Sequence, residues 1–303
     1  MDLIAAAPDT LLVEFGLRPS ACTTIAVERS AVLEQRLVGG GAVRLLPGGC
    51  GANQAAWLPR LGTDARIVAP FGHDNHGALA RMDLEQRGVR VVGFDYAGPH
   101  SVIYTLIADG GERTFADYCH GVPYDLLPAA RALADEAIVA IDGYLLLRPG
   151  AADGVLAYLR DVAPAGQQIL FCPGDVSVLA DAADACAAIL ERADHLVVNH
   201  HEAEALFPGM SEDTAVDALR ARGKAGAITL GERGAILFNA DRVFRSEKAR
   251  LDRPIANTNG AGDAFTAGYL HGIDKHLPLV EIAAIATDCA AQILVREAAR
   301  PDA

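Results

Sequence analysis

Seven consecutive residues, Asn257-Thr258-Asn259-Gly260-Ala261-Gly262-Asp263, have the types and spacing that suit phosphate chemistry. They run into Ala264-Phe265-Thr266-Ala267-Gly268-Tyr269-Leu270, a small and apolar stretch that reads as a buried helix. Gly260, Ala261 and Gly262 leave room for backbone N–H groups to approach an anion at that helix's N-terminus, where the helix dipole favours negative charge. Asp263 falls in the first turn, beside the same place. A carboxylate there can take a proton from an attacking hydroxyl. The N–H groups can stabilise charge developing on a transferred phosphoryl group. A bare Gly-x-Gly-Asp would more simply be a glycine loop with an N-terminal helix acid. The longer run with its small-residue helix favours the chemical reading.

Three further segments carry weaker signals. In Asn199-His200-His201-Glu202, an amide and a carboxylate three apart stand at a strand-to-helix junction. Such a pair can organise Mg²⁺ and its waters near phosphates, or it can be an Asn cap with Glu at N3. His200 and His201 are adjacent, point in different directions, and are not expected to be metal ligands. Thr229-Leu230-Gly231-Glu232-Arg233-Gly234 joins two apolar runs, and its glycines either make a hairpin turn or let a nucleotide lie against the backbone. Gly48-Gly49-Cys50-Gly51-Ala52-Asn53 opens an expected helix, Gln54 to Arg60. Its glycines permit close backbone approach, and Asn53 offers donors and acceptors for a diol. Gly72-x-Asp74-x-x-Gly77, just downstream, reads equally well as a cap.

Alternating strand and helix patterns must position these residues. Strands are expected at Arg66 to Pro70, Val89 to Phe94, Ser101 to Ala108, Arg113 to Tyr118, Ala137 to Ile141, Gln168 to Cys172, His195 to Val198, Ala227 to Leu230 and Ala235 to Phe238. Helices are expected at Gly77 to Arg87, Ala151 to Val162, Val176 to Arg192, Glu202 to Phe207 and Asp213 to Arg222. Asp109-Gly110-Gly111 between two of the strands is a hairpin signal. The alternation predicts a doubly wound α/β core, a mostly parallel sheet covered by helices on both faces. The less regular N-terminal part is available for a second, smaller layer.

Bulk properties narrow the function. The chain has 303 residues, 51% of them hydrophobic, and a net charge of -13. No Lys/Arg cluster marks a nucleic-acid footprint. An anionic substrate must therefore be met by local features. The six cysteines, Cys22, Cys50, Cys119, Cys172, Cys186 and Cys289, form no C-x-x-C pair and suggest reduced thiols in a cytoplasmic protein. No signal peptide and no apolar run long enough for a membrane span are visible.

Taken in order, the motifs resemble the ribokinase-like (PfkB) family of carbohydrate and nucleoside kinases. The order is Gly-Gly-x-x-x-Asn, Gly-x-Asp-x-x-Gly, a glycine hairpin ending Glu112-Arg113-Thr114, Asn-x-x-Glu, Thr-Leu-Gly-x-x-Gly and Gly-Ala-Gly-Asp. The resemblance spans nearly the whole chain. It implies a single ribokinase-like domain, 1–303, with a small β lid from segments of roughly 10–47 and 95–120. It implies transfer of the ATP γ-phosphoryl group to a primary hydroxyl, with Mg²⁺ and often stimulation by a monovalent cation such as K⁺. By that likeness Asp263 is the base and Gly260, Ala261 and Gly262 form the anion hole. Asn199 and Glu202 would organise Mg²⁺ through water. Thr229, Gly231 and Gly234 would touch nucleotide, and Asp2, Gly48, Gly49 and Asn53 would hold the sugar.

Within the family, the opening Asp2-Leu3-Ile4 and the Asn-Thr-Asn form of the loop are similar to adenosine and inosine–guanosine kinases. The expected acceptor is the 5′-hydroxyl of a purine nucleoside. A sugar kinase for ribose or a ketohexose is the alternative, and a catalytically impaired nucleoside-binding protein is a third reading. A homodimer is one assembly open to it. Two positions depart from the family pattern. Asn257 stands where Asp is usual, which bears on the cation setting. The family's first strand precedes the residue that Asp2 matches, so either the start lies upstream or the sheet lacks a central strand.

Overall fold

The structure, a computed structural model, describes residues 1–17, 22–41, 43–96, 98–109, 113–118, 124–296 and 298–301. Gly110, Gly111 and Glu112 of the expected hairpin turn, and Cys119, lie outside the described residues. The strands are β1 (Asp2–Ala6), β2 (Cys22–Ile25), β3 (Val43–Leu46), β4 (Arg66–Gly72), β5 (Arg90–Tyr96), β6 (Ile103–Ile107), β7 (Arg113–Tyr118), β8 (Ile138–Asp142), β9 (Gln168–Cys172), β10 (His195–Asn199), β11 (Ala225–Thr229), β12 (Ala235–Phe238) and β13 (Val243–Ser246). The helices are α1 (Asp9–Phe15), α2 (Val27–Gly40), α3 (Cys50–Leu61), α4 (Asn75–Gln86), α5 (Leu127–Ala130), α6 (Ala151–Asp161), α7 (Val176–Asp181), α8 (Ala183–Arg192), α9 (His200–Leu206), α10 (Glu212–Ala221), α11 (Ala261–Asp274) and α12 (Leu279–Leu294).

The chain divides into two compact units. The smaller comprises Met1–Gly49, Pro70–Asp83 and Gly93–Val122, and so takes in both segments expected to form a lid. Its five-stranded sheet has the order β2-β7-β6-β1-β3. β6 and β7 pair antiparallel, as the hairpin signal predicts, and β1 lies between β6 (parallel) and β3 (antiparallel). Helix α2 packs on β7, and Leu3, Ala5, Leu33, Leu37, Leu106 and Ala116 are buried.

The larger unit comprises Cys50–Ala69, Leu84–Val92 and Pro123–Ala303. Its six-stranded sheet has the order β13-β12-β11-β10-β9-β8. β8 to β11 run parallel, and the hairpin strands β12 and β13 are antiparallel. Sequences such as His-Leu-Val-Val-Asn in β10 are apolar on both faces, as a parallel sheet covered by helices requires. The sheet is thus mixed, as its antiparallel edge shows. It ends at β8, while β4 and β5 form a separate two-stranded sheet. The Asp2 strand belongs to the five-stranded sheet.

Most boundaries fall within two residues of expectation, and two helical segments depart further. Val176 to Arg192 is two helices, because Ala182 leaves helical geometry at φ -121° and ψ 36°. No Gly or Pro marks the break, so the periodicity runs straight through it. Helix α3 begins at Cys50, four residues early. The Gly51 N–H in its first turn is capped at 2.9 Å by the Asp142 carboxylate from the end of β8, a partner no local pattern reveals.

Helix α11 is the core element. Every residue from Ala264 to Leu270 is buried, so the helix is apolar all round, as a fully enclosed helix must be. It packs against α3 and α12. Trp57, Ala264, Ala267, Cys289 and Ile293 make one cluster, while Phe265, Tyr269, Ile282 and Ala286 join the sheet core. Gly268 permits the closest approach: a Cβ there would lie 2.5 Å from the Ala286 Cα. Replacing Gly268 by Ala should therefore destabilise the fold by about 1–3 kcal/mol through overpacking, despite alanine's better helix propensity. Urea unfolding checks this, with Gly39→Ala, where the space is open, as the control that should not lose stability.

Candidate active site

The carboxyl ends of the parallel strands collect the polar groups, the usual ligand position in open α/β sheets. In strand order they are Asp142 on β8, Cys172 on β9, Asn199 on β10 and Thr229 on β11. Asp142 pairs across the ladder with Cys172, and Asn199 with Thr229. Helix α11 starts with Gly260 at φ 80° as its cap, followed by Ala261, Gly262 and Asp263. A Cβ on Gly262 would meet nothing within 4 Å, so the space beside this helix start is open. An α-helix leaves its first N–H groups without in-helix acceptors, which suits an anion. Gly260 is held instead by the chain end: a Cβ there would stand 2.6 Å from the Ala299 carbonyl oxygen.

Asp263 is anchored from α3. The Asn53 amide Nδ2 donates to Asp263 Oδ2 at 2.8 Å, and Asn53 Oδ1 accepts from the Nε of buried Arg300 at 2.9 Å. Asn53, expected at the substrate, thus has both ends of its amide on protein groups. The Cys50 thiol also hydrogen-bonds Asp263. Loss of solvation, then the carboxylates of Asp263 and Asp142, push this thiol well above its ordinary range. Cys172 is raised likewise, by desolvation and then by Glu202, Asp142 and Asp263, with its sulfur 4.0 Å from the Thr266 hydroxyl. Both thiols are therefore neutral and act as small polar groups beside the carboxylate. Asp142 itself is raised by desolvation, partly offset by the N–H groups of Gly51 and Tyr144.

Asn199 and Glu202 form a complete capping box on α9. Asn199 Oδ1 accepts from the N–H groups of His201 (2.9 Å) and Glu202 (3.0 Å). Glu202 takes the Asn199 N–H at 2.9 Å and its side-chain amide at 2.8 Å. Glu202 is only 2% exposed. Burial raises its carboxyl to about 7, against the lowering effect of the Asn199 N–H and with a further rise from Asp175. Each Glu202 oxygen accepts one hydrogen bond and keeps a lone pair to which a water of a hydrated cation could donate. Among the described residues no three His, Cys, Asp or Glu side chains cluster as a metal site, His200 and His201 included.

Thr229 ends β11, and Gly231–Arg233 make a 3-10 turn into β12. Gly231, at φ 60°, has open space around it. Gly234 does not: a Cβ there would collide with the Ser246 carbonyl of β13, so this glycine serves the hairpin. Asn257 is buried, with Oδ1 accepting the Asn259 N–H at 3.0 Å. In the smaller unit, Gly48 lies against the Asp2 carboxylate so closely that a Cβ would fall on it, and Gly49 holds φ 94°. Asp74 caps α4 by accepting from Gly77 at 2.8 Å and takes the His100 N–H at 2.9 Å. Sequence reasoning missed Asp142, Cys50, Cys172 and Arg300 as site residues. Asp142 and Cys172 carried a signal, since both end parallel strands. Arg300 carried none.

Residues 21–303 match the pfkB family carbohydrate kinase domain. The chain belongs to this family. It is 32% identical over 234 residues to an ATP-dependent ribose-1-phosphate kinase of Halopiger xanaduensis, covering 74% of this chain and 72% of that one. It is 28% identical over 241 residues to a ribokinase of Bacillus subtilis, at 76% and 75% coverage. The adenosine kinase of Sinorhizobium meliloti shares the fold at a TM-score of 0.85 and 24% identity, over 99% of this chain and 92% of that one. A probable sugar kinase from Rhizobium etli does so at 0.86 and 22% identity, with the same coverage. The α/β fold is therefore ribokinase-like and the kinase a pfkB enzyme. No helix among the described residues is long and apolar enough to cross a membrane.

The buried Glu202 makes stability depend on pH. Its carboxyl is raised in the folded state from 4.5 to about 7, so the native protein binds more protons than the unfolded chain between those values. Stability from this group is present at low pH and falls as pH rises through that window. Glu202→Gln should flatten this decline relative to the parent in urea titrations from pH 4.5 to 7.5; parallel curves would show that Glu202 is ordinary in the folded state.

Proposed function

We propose that this pfkB kinase transfers the γ-phosphoryl group of ATP to the 5′-hydroxyl of a nucleoside, a purine nucleoside foremost. The observation that carries the phosphoryl-transfer chemistry is Asp263 in the first turn of α11, beside the open backbone at Gly262 and held by Asn53 at 2.8 Å. Asp263 accepts the proton of the acceptor hydroxyl as its oxygen attacks the γ-phosphorus, and ADP leaves. The N–H groups of Ala261, Gly262 and Asp263 stabilise the charge on the transferred group. Thr229 and Gly231 offer the nucleotide a place against exposed backbone. Asn199 and Glu202 would hold Mg²⁺ through water, and the ion when bound neutralises phosphate charge. Monovalent-cation stimulation by K⁺ is part of the same reading, with Asn257 in place of the more usual Asp.

For the acceptor, the Asp2 carboxylate packed on Gly48 suits a vicinal diol, because a carboxylate can accept from two neighbouring hydroxyls. A ribosyl group has that diol. The likeness of fold to adenosine kinase supports a nucleoside. The second reading is a sugar or sugar phosphate, favoured by the 32%-identical ribose-1-phosphate kinase.

Radiolabel transfer from [γ-³²P]ATP to purine nucleosides, ribose, fructose and ribose 1-phosphate separates these readings. Label on a purine nucleoside is expected. Label on a sugar or sugar phosphate alone would replace the nucleoside reading, and nucleoside binding without any transfer would favour the impaired binding protein. Asp263→Asn should lower kcat on the order of 10²–10⁴-fold while ATP binding, followed by calorimetry, persists. Turnover at the parent rate would remove Asp263 from the base role.

A further inference from the structure

We propose that Arg300 is a positioning residue for phosphoryl transfer: through the Asn53 amide, its buried guanidinium aims the Asp263 carboxylate and holds it as an acceptor. This rests on the reading of Asp263 as the base. The three groups form an ordered line. Arg300 is 3% exposed and Asn53 is 4% exposed. Arg300 Nε donates to Asn53 Oδ1 at 2.9 Å, and Asn53 Nδ2 donates to Asp263 Oδ2 at 2.8 Å.

The direction of this line follows from donor chemistry. A guanidinium has only N–H donors and stays protonated at any physiological pH. It therefore requires the oxygen end of the Asn53 amide. The NH₂ end must then face Asp263, where it needs an unprotonated oxygen. Turning the amide over would set NH₂ against guanidinium and carbonyl oxygen against carboxylate, two repulsions in a low-dielectric interior. Arg300 thus sets the polarity of the amide, and the amide occupies Oδ2 of Asp263.

The segment that carries Arg300 is itself tied down. The Ala299 carbonyl abuts Gly260, the residue that caps α11. The Pro301 carbonyl accepts from Arg87 Nη1 at 2.7 Å. Residues 299–301 therefore touch the start of the catalytic helix by backbone and the catalytic carboxylate by relay. A fixed cation behind an amide also favours the charged form of the carboxylate ahead of it. Among the described residues, the Cys50 thiol faces the carboxylates of Asp263 and Asp142, the Cys172 thiol faces those of Glu202, Asp142 and Asp263, and Arg148 acts on Asp142.

The test compares Arg300→Gln and Arg300→Lys with the parent 303-residue chain, using ATP and whichever of adenosine, ribose, fructose or ribose 1-phosphate takes the radiolabel. Arg300→Gln should lower kcat on the order of 10-fold or more, as small misplacements of reacting groups do, with KM for ATP little changed. Its acid limb in the pH profile of kcat should move to higher pH, because the cation that favours the ionised carboxylate is gone. Arg300→Lys should keep the acid limb in place and recover part of kcat. Parent-like kcat and acid limb in Arg300→Gln overturn the proposal. So does a loss of activity with an unmoved acid limb, which would mean a purely structural role. Should Arg300→Gln fail to fold, the Arg300 Nε–H resonance of the parent gives the answer. It should titrate with the acid limb and become pH-independent in Asp263→Asn. A resonance unaffected by that substitution overturns the proposal. If Asp263→Asn retains parent turnover, the base reading itself fails. If Asp263→Asn is inactive and Arg300→Gln is normal, only the Arg300 inference fails.

Discussion

The larger unit depends on the near contact of two helix backbones, α11 and α12, at Gly268. A Cβ at that position would lie 2.5 Å from the backbone of Ala286, so neither helix can shift without opening a void or making a collision. Close-packed interiors behave in this all-or-none way. Trp57 of α3, wholly buried, wedges the other side. The start of α11 is fixed as a consequence, and with it the distance from its first-turn N–H groups to the carboxylate of Asp263. Catalysis by positioning and by preorganised dipoles needs that kind of rigidity.

Around this fixed point the polar residues constrain each other in a chain. Asp142 caps α3, which presents Asn53 and Cys50 to Asp263. Glu202 and Asn199 close the start of α9 on the neighbouring strand ends. Asp142, Cys50, Cys172 and Glu202 are all raised above their ordinary values, with desolvation as the first cause. An enclosed cluster of this kind strengthens every hydrogen bond to it and makes a missing partner costly. Asn199 and Glu202 satisfy the α9 terminus completely, yet each Glu202 oxygen, with one donor apiece, retains acceptor capacity.

Much of the fold was legible because its signals are local. The apolar runs of β8 to β12 and the small-residue character of α11 appear in short windows of sequence, and their periods differ from those of loops. The Asp263 loop and the capping pair were legible for the same reason. The exceptions have physical causes. Helix α3 starts early because a carboxylate from β8 satisfies an N–H that would otherwise favour a later start. Val176 to Arg192 splits at Ala182 without any residue that marks a break. Asn53 read as a diol-binding amide because nothing in its own segment shows that Arg300 and Asp263 claim both ends of it.

The amino-acid sequence alone determined the chemistry that this kinase could carry: a carboxylate in a helix's first turn, glycines that open its backbone, and the order of motifs that resembles the pfkB family. Those properties reside in residue type and short spacing, which survive any folding detail. The tertiary structure alone decided which groups that carboxylate touches. Asn53 and Arg300 are 247 positions apart in the chain yet bonded at 2.9 Å, and hydrogen bonds over such separations follow from packing, not from any local pattern. The same packing assigned Gly231 to open space and Gly234 to a crowded hairpin, though both looked alike as glycines in one motif.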